Sequence, residues 1–178
     1  VAAMTDLPVV ICGAGVIGVS IAYQLGLRGV RSTLVDKVGL CPAASGKAGG
    51  FLALDWNDGS SVGPLSRRSF ELHQHLADTL PGDTGYRRLT CSAVAVGGGG
   101  RRSPAQKKLD RVEWADFGVV GEQSMGDESS IAQVHPRLLT EALFSAAKNN
   151  GATLTVGEVD GFVYGQGTGE DAGGGDGG

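Results

Sequence analysis

The sequence predicts an α/β fold in which helices pack against a parallel β-sheet, and three observations support this. The apolar run Val9–Cys12 leads directly into a glycine-rich turn and a helical pattern. A second apolar run, Ser32–Val35, follows that helix. Farther along, another helical pattern precedes the β-rich segment Ala152–Val156. Strands that alternate with helices and consist of nearly continuous apolar runs are typical of a parallel sheet covered on both faces.

The first turn has the spacing Gly-x-Gly-x-x-Gly, formed by Gly13, Gly15 and Gly18. In a dinucleotide-binding unit the first glycine permits the tight turn, the second lets a pyrophosphate approach the backbone, and the third lets the helix lie close to the sheet. The second strand ends at Asp36, eighteen residues beyond Gly18, where a carboxylate can accept hydrogen bonds from ribose hydroxyls. We therefore predict a Rossmann-like nucleotide site. A glycine turn in another kind of α/β protein is the open alternative.

The helix after this turn is predicted over residues 15–28, with Gly29 as its C-terminal cap. Its amino-terminal amides and partial positive charge would face the phosphates of a nucleotide. The helix is apolar nearly all round, which predicts close packing on the sheet; its apolar residues are Val16, Ile17, Val19, Ile21, Ala22, Leu25 and Leu27.

Residues 39–64 form a stretch rich in glycine, alanine and serine that leaves the end of the second strand. Two interpretations remain open. The stretch could be a flexible loop, or its core over residues 43–50 could contact a ligand, because small side chains let backbone amides approach one. The apolar segment Phe51–Leu54 ends this core.

An amphipathic helix is predicted from Leu65 to Leu80, ended by Pro81. The apolar residues available for burial on it are Leu65, Phe70, Leu72, Leu76 and Leu80. His73 and His75 stand two residues apart, so they point to different sides of the helix and cannot share a metal ion. We expect both histidines at the surface. A strand over Thr90–Val96 and a loop over Gly97–Gly100 should follow.

The second clear unit begins with a short extended segment, Ile131–Val134. Pro136 suits the first turn of a helix, which should run to Asn149 and lead to a further parallel strand over Ala152–Val156. The glycine-rich residues 165–178 cannot bury apolar surface and are predicted to be disordered.

The composition excludes several classes of function. The net charge of −4 over 178 residues argues against a nucleic-acid partner, and the basic cluster at residues 101–111 is interpreted as solvated. No membrane-spanning segment and no metal-ligand spacing are present. Three sparse cysteines indicate a reducing compartment, the cytoplasm, with Cys12 buried in its strand. An organelle remains open if a targeting segment precedes Val1.

Several segments resemble one family in their order along the chain. The run GAGVIGVSIAYQLGLRG from Gly13 to Gly29 resembles the N-terminus of FAD-dependent oxidoreductases of the D-amino-acid oxidase, glycine oxidase and sarcosine oxidase type. Residues 44–50 resemble the second flavin-contacting segment of those proteins. Residues 132–136, the helix after them and residues 151–154 resemble the unit leading to the third strand. Residues 157–159 resemble the turn at which a valine backbone meets the adenine.

The resemblance implies an FAD-binding domain over residues 1–58 and 131–164 and part of an interleaved α+β substrate domain over residues 59–130. It also implies hydride transfer to the flavin from the carbon beside the nitrogen of a small-molecule amine or amino acid. Lys47 would lie near the flavin ring. No catalytic residue and no metal ligand are assigned. Motif and resemblance together predict that FAD is bound by Gly13, Gly15, Val16, Ile17, Gly18, Asp36, Lys37, Ser45, Gly46, Lys47, Ala48, Gly49, Gly50 and Val159.

One departure from the family pattern leaves the activity open. Proteins of this type continue past the position of Val159 through more substrate-domain strands, whereas here a glycine–aspartate tail follows. We therefore expect a truncated amino-terminal half. Residues 43–50 and the unit Gln133–Pro136 favour a flavin. Two alternatives remain: an NAD-dependent dehydrogenase, because Asp36 suits either nucleotide, and a catalytically incomplete nucleotide-binding fragment.

Overall fold

The computed structural model describes residues 9–96 and 119–163, except for the side chain of Val120. In chain order the elements are β1 (Val9–Cys12), α1 (Val16–Gly26), β2 (Ser32–Asp36), α2 (Ala44–Lys47), β3 (Phe51–Ala53), α3 (Gly63–Thr79), β4 (Arg87–Arg88), β5 (Cys91–Val96), β6 (Val119–Gly126), β7 (Ile131–Gln133), α4 (Pro136–Asn149) and β8 (Thr153–Val156).

The predicted parallel sheet is confirmed. Its strand order is β1-β2-β8, with both pairs parallel. Ile11 lies opposite Leu34, and Leu34 lies opposite Leu154, so these three residues share one face of the sheet. The helix-to-strand unit at the end of the chain therefore supplies the third strand, as its sequence pattern predicts.

Helices α1 and α4 pack on that face and on each other, and this contact makes the main core. Leu34, Val19, Ala22 and Ala147 are fully buried there, and Leu143 is 2% exposed. Small residues on both helices allow a close approach to each other and to the sheet.

The helix α1 packs on the sheet as predicted, although Ile17 is 76% exposed and Leu27 is 57% exposed. The expectation that Cys12 is buried is wrong. Cys12 is exposed rather than buried. Alternate strand residues point to opposite faces, and Cys12 shares with Val10 the face opposite Ile11, which the described helices do not cover.

A second, antiparallel sheet has the order β3-β7-β4, and β5 pairs with β6 in a separate two-stranded ribbon. Residues 39–64 are therefore not a continuous loop, because they contain the short helix α2 and the strand β3. The division into an FAD-binding domain and an insertion at residues 59–130 stays a prediction.

The helix α3 confirms the predicted element, and part of its predicted apolar face is covered. Phe70 and Leu80 are buried, whereas Leu65 is 69% exposed and Leu72 is 38% exposed. The covered stripe runs through Phe70 and the half-buried His73, whose Nδ1 donates to the carbonyl of Ser69 at 2.7 Å. The half-buried Leu76 also packs against the core. Phe70, Leu76 and Leu80 are therefore covered as expected, Leu65 and Leu72 are not, and His73 is only partly at the surface. His75 is exposed, as expected.

Three sequence expectations fall on residues that lie outside the described ones: the loop 97–100, the basic cluster at 101–111 and the tail at 165–178. Within the described ranges no helix has the length and apolarity needed to cross a membrane. The same ranges contain no cluster of side chains suited to a metal ion.

The core makes a direct prediction about stability. Truncating the fully buried Leu34 to alanine should lower the free energy of unfolding by about 2–5 kcal/mol, because the change removes apolar contacts and leaves a cavity. The Val10→Ala change on the exposed face should cost about 0.5 kcal/mol. Urea unfolding followed by circular dichroism measures both. Equal losses would show that the two faces of the sheet are equally covered.

Candidate functional site

The turn between β1 and α1 is built around its glycines. Gly13 adopts a φ of +101°, which favours glycine, and its amide donates to the carbonyl of Val35 at 2.7 Å. A Cβ on Gly18 would lie 2.1 Å from the carbonyl oxygen of Gly13. The third glycine is therefore required by the closeness of α1 to the turn, as the motif predicts.

The first turn of α1 faces a serine from α2. The amide of Val16 donates to Ser45 Oγ at 2.9 Å, while Gly15 at the N-cap has no side-chain cap. A Cβ on Gly15 would lie 3.0 Å from the same oxygen. Because the hydroxyl accepts from Val16, its own proton is left to donate to another group. Ser45 thus narrows the space at the amino-terminal end of α1, which we call the mouth of α1, without closing it.

Asp36 lies at the end of β2, beside the glycine turn. Its Oδ2 accepts from the amide of Ala14 at 3.0 Å, and its Oδ1 accepts from the amides of Val38 and Gly39 at 2.9 and 3.1 Å. These amide hydrogen bonds, with Ala14 the strongest, hold the pKa of the carboxyl below its usual range. A carboxylate has about four acceptor positions, so about one remains for a ribose hydroxyl.

Residues 41–50 are held tightly against the glycine turn and α4. Cys41 is fully buried, its amide donates to the carbonyl of Ala14 at 3.0 Å, and its Sγ lies 3.9 Å from Arg137 Nη1. Burial raises the pKa of the Cys41 thiol. A Cβ on Gly46 would lie 2.3 Å from the Cys41 carbonyl oxygen. The small residues of this segment therefore serve its own packing as well as any ligand.

Residues at the end of β7 and directly after it form hydrogen bonds with the end of the segment 41–50. The amide of Val134 donates to the carbonyl of Gly50 at 2.9 Å, and Gln133 Nε2 donates to the carbonyl of Gly49 at 3.1 Å. Gly50 has a φ of +70°, and a Cβ there would lie 1.9 Å from the Val134 carbonyl oxygen. The sequence pattern did not identify Gln133 and Val134 as contacts of this segment, because they lie about eighty residues away along the chain.

Three predicted residues lie toward solvent. Lys37 Nζ is 3.8 Å from Glu158 Oε1 in an exposed ion pair, and Lys47 is exposed. Val159 is 43% exposed, but it follows Gly157, whose amide donates to the Asp36 carbonyl at 3.0 Å. The carboxyl end of β8 is therefore tied to that of β2.

The hydrogen-bond donors and acceptors around the glycine turn fit the diphosphate and ribose of a dinucleotide. Amides in the first turn of a helix lack acceptors within that helix, and here they open beside Ser45, which retains a proton to donate. The carboxylate of Asp36 stands on the other side of the turn with a spare acceptor position. The closeness of Gly15 to Ser45 Oγ leaves a narrow cradle that a side chain on Gly15 would fill.

Comparisons with known proteins agree with this geometry. The profile of the DAO family, described as FAD dependent oxidoreductase, matches residues 8–176. A Schizosaccharomyces pombe protein described as an oxidoreductase is 32% identical over 161 residues, which cover 85% of this chain and 41% of that protein. The chain therefore spans less than half the length of this relative.

Two solved structures share the fold. Glycine oxidase from Geobacillus kaustophilus superposes with a TM-score of 0.61 at 23% identity, covering 83% of this chain and 45% of the oxidase. L-proline dehydrogenase from P. horikoshii gives a TM-score of 0.65 at 19% identity, covering 88% of this chain and 46% of the dehydrogenase. The α/β fold with its parallel sheet is thus shared with these two enzymes over the matched part.

The hydrogen bonds of Asp36 predict a pH dependence. Its folded pKa is lowered, so its contribution to stability is complete above the unfolded value of 3.8 and is lost as the pH falls through the folded value. Asp36→Asn should reduce the free energy of unfolding by about 1–2 kcal/mol at pH 7. Its stability should also fall less steeply below pH 3.8. Urea titrations at several pH values compare both proteins, and parallel curves would contradict the assignment.

Gly50 and Gly59 form a matched pair for a test of the segment 46–50. Both have positive φ angles, +70° and +79°, but a Cβ on Gly59 meets no atom within 4 Å. Gly59→Ala should therefore cost about 1–2 kcal/mol from backbone strain alone. Gly50→Ala should cost clearly more, since it drives a methyl group into the Val134 carbonyl. Thermal unfolding measures the difference, and equal losses would contradict the close contact.

Proposed function

Because the chain belongs to the DAO family of FAD-dependent oxidoreductases, we propose that it binds FAD at the mouth of α1 as part of an enzyme that oxidises an amine or amino acid. The observation that carries the proposal is the convergence of three groups at this mouth. They are the first-turn amides of α1, Ser45 Oγ at 2.9 Å from the Val16 amide, and the Asp36 carboxylate at 3.0 Å from the Ala14 amide.

Each group has a part in holding the cofactor. The amides of Gly15, Ile17 and Gly18 would face the pyrophosphate together with the hydroxyl of Ser45, which the Val16 amide holds in place. Asp36 would accept from the adenosine ribose, and the backbone at Val159 would lie beside the adenine. Lys37 would stay at the rim of the site. Gly13 contributes the turn itself, with its φ of +101°.

Residues 46–50 would then lie along the ribityl chain and the edge of the flavin. Lys47 is the cation that would stand near the flavin ring, and the remaining residues of the segment, apart from the methyl group of Ala48, present only backbone groups. When bound, the flavin supplies the chemistry by accepting a hydride from the carbon next to the substrate nitrogen. The part of the protein described here would orient the cofactor and exclude water from it, and it contains no residue that we assign to the chemical step.

The names of the structural neighbours support the substrate class. They include proteins described as glycine oxidase, L-proline dehydrogenase and L-amino acid deaminase. The family match favours a flavin over a nicotinamide, although Asp36 alone suits the ribose of either nucleotide.

The direct test is the visible spectrum of the purified chain during titration with FAD. Bands of bound oxidised flavin, with quenched flavin fluorescence, are expected. NAD should not compete at comparable concentration. Competition by NAD would favour the nicotinamide alternative, and failure to bind either nucleotide would leave a catalytically incomplete fragment.

A pair of glycine variants locates the site. Gly15→Ala places a methyl group 3.0 Å from Ser45 Oγ and should weaken FAD binding about tenfold, because the cradle is filled. Gly161→Ala is the control, since a Cβ there meets no atom within 4 Å and should leave the affinity unchanged. Fluorescence titration gives both dissociation constants. Equal affinities would place the cofactor elsewhere.

A further inference from the structure

Gln133, the last residue of β7, is bonded to the segment that we propose to contact the flavin. Its side chain is half-buried, and its Nε2 donates to the carbonyl of Gly49 at 3.1 Å. The amide of Ala48, by contrast, bonds within the segment to the carbonyl of Ala44 at 2.9 Å. The Gly49 carbonyl is therefore held from outside its own segment, by a side chain of the antiparallel sheet.

The orientation of the Gln133 amide is fixed by Arg87. The Nη2 of Arg87 donates to Gln133 Oε1 at 2.5 Å, and the two residues lie directly opposite each other in the pairing of β4 with β7. A guanidinium only donates hydrogen bonds, so it selects the amide oxygen and leaves the amide nitrogen to face Gly49. The opposite orientation would bring two donors together and place an oxygen against the Gly49 carbonyl.

The next residue of the segment, Gly50, is held in the same way. Its carbonyl accepts from the Val134 amide at 2.9 Å, and its φ is +70°. Because a peptide group is planar and trans, the N–H of Gly50 points away from the carbonyl of Gly49. This N–H is therefore directed away from Gln133. Among the described residues it has no hydrogen-bond acceptor.

We propose that Gln133 is a positioning residue for the flavin, which holds the Gly49–Gly50 peptide so that the Gly50 N–H faces the cofactor. The inference rests on the proposed function and adds a residue outside the predicted FAD-binding set. A donor that is already fixed loses little conformational freedom on binding and stabilises negative charge on the flavin ring. Reduction adds negative charge to the ring, so the contact favours the reduced flavin.

Two substitutions remove the donor with different effects on charge. Gln133→Glu keeps the shape and the acceptor for Arg87 but replaces the N–H donor with an oxygen, whereas Gln133→Met removes both functions and adds no charge. In both variants FAD should bind about fivefold more weakly, as expected for one lost hydrogen bond. The reduction potential of the bound flavin should fall in both. Fluorescence titration measures the affinity, and anaerobic reduction against reference dyes measures the potential.

Gln24→Glu is the matched control. Gln24 Oε1 also accepts from an arginine, Arg28, at 3.1 Å, but Gln24 lies in the last turn of α1, away from the mouth of α1. Its substitution should leave the affinity and the potential unchanged. Arg87→Met keeps the donor of Gln133 and should weaken FAD binding less than either substitution of Gln133.

A measurement on the full chain without FAD separates this inference from the proposed function. The proton–nitrogen nuclear Overhauser effect of the Gly50 amide reports its motion on the ps–ns timescale. It should be high in the wild-type chain and lower in both Gln133 variants. If Gly50 loses order in the variants while no form of the chain binds FAD, the proposed function alone is contradicted.

Three results would overturn the inference. The first is an unchanged order of the Gly50 amide in both Gln133 variants. The second is a weaker affinity with an unchanged potential, because the Gly50 N–H would then not act on the flavin ring. The third is a larger loss of affinity in Arg87→Met than in the Gln133 variants at equal melting temperature, which would assign the effect to the arginine.

Discussion

The site depends on the hydrogen bonds that the carboxylate of Asp36 accepts from three backbone amides. The carboxylate joins the amide of Ala14, in the turn after β1, to the amides of Val38 and Gly39, which follow β2. Hydrogen bonds to a charged group are among the stronger ones in proteins. The two chain segments that would enclose a nucleotide are therefore fixed to each other before any ligand arrives. A single side chain thus organises the edge of the sheet and still offers an acceptor position.

A second layer of support comes from the carboxyl-terminal part of the described chain. The segment 41–50 is bonded to the glycine turn at Cys41 and Ser45 on one side, and to Gln133 and Val134 on the other. Because Gln133 ends β7 and Val134 directly follows it, the antiparallel sheet and the parallel sheet meet at this segment. The position of the candidate cofactor segment is therefore a property of the whole fold rather than of its own sequence.

The sequence predicts most of the elements because their signals are local. The glycine turn, the acid at the end of β2 and the helix that begins at Pro136 each depend on nearby residues. Burial on α3 and the exposure of Cys12 depend instead on which neighbours cover each face, which local patterns do not record. For the same reason the spacing of residues around Asp36 predicts its place but not its three amide contacts. The pairing of Gln133 with Gly49 and Arg87 is equally non-local.

The contact between Gly18 and the Gly13 carbonyl bears on how the glycine motif is inherited. The third glycine is needed for the backbone to close, whatever occupies the mouth of the helix. Natural selection for folding alone would preserve it, even in a descendant that had lost its cofactor. Gly15, which faces Ser45 across the cradle, is the position at which such a descendant could drift first. Substitution patterns at these two glycines would then separate selection on architecture from selection on chemistry.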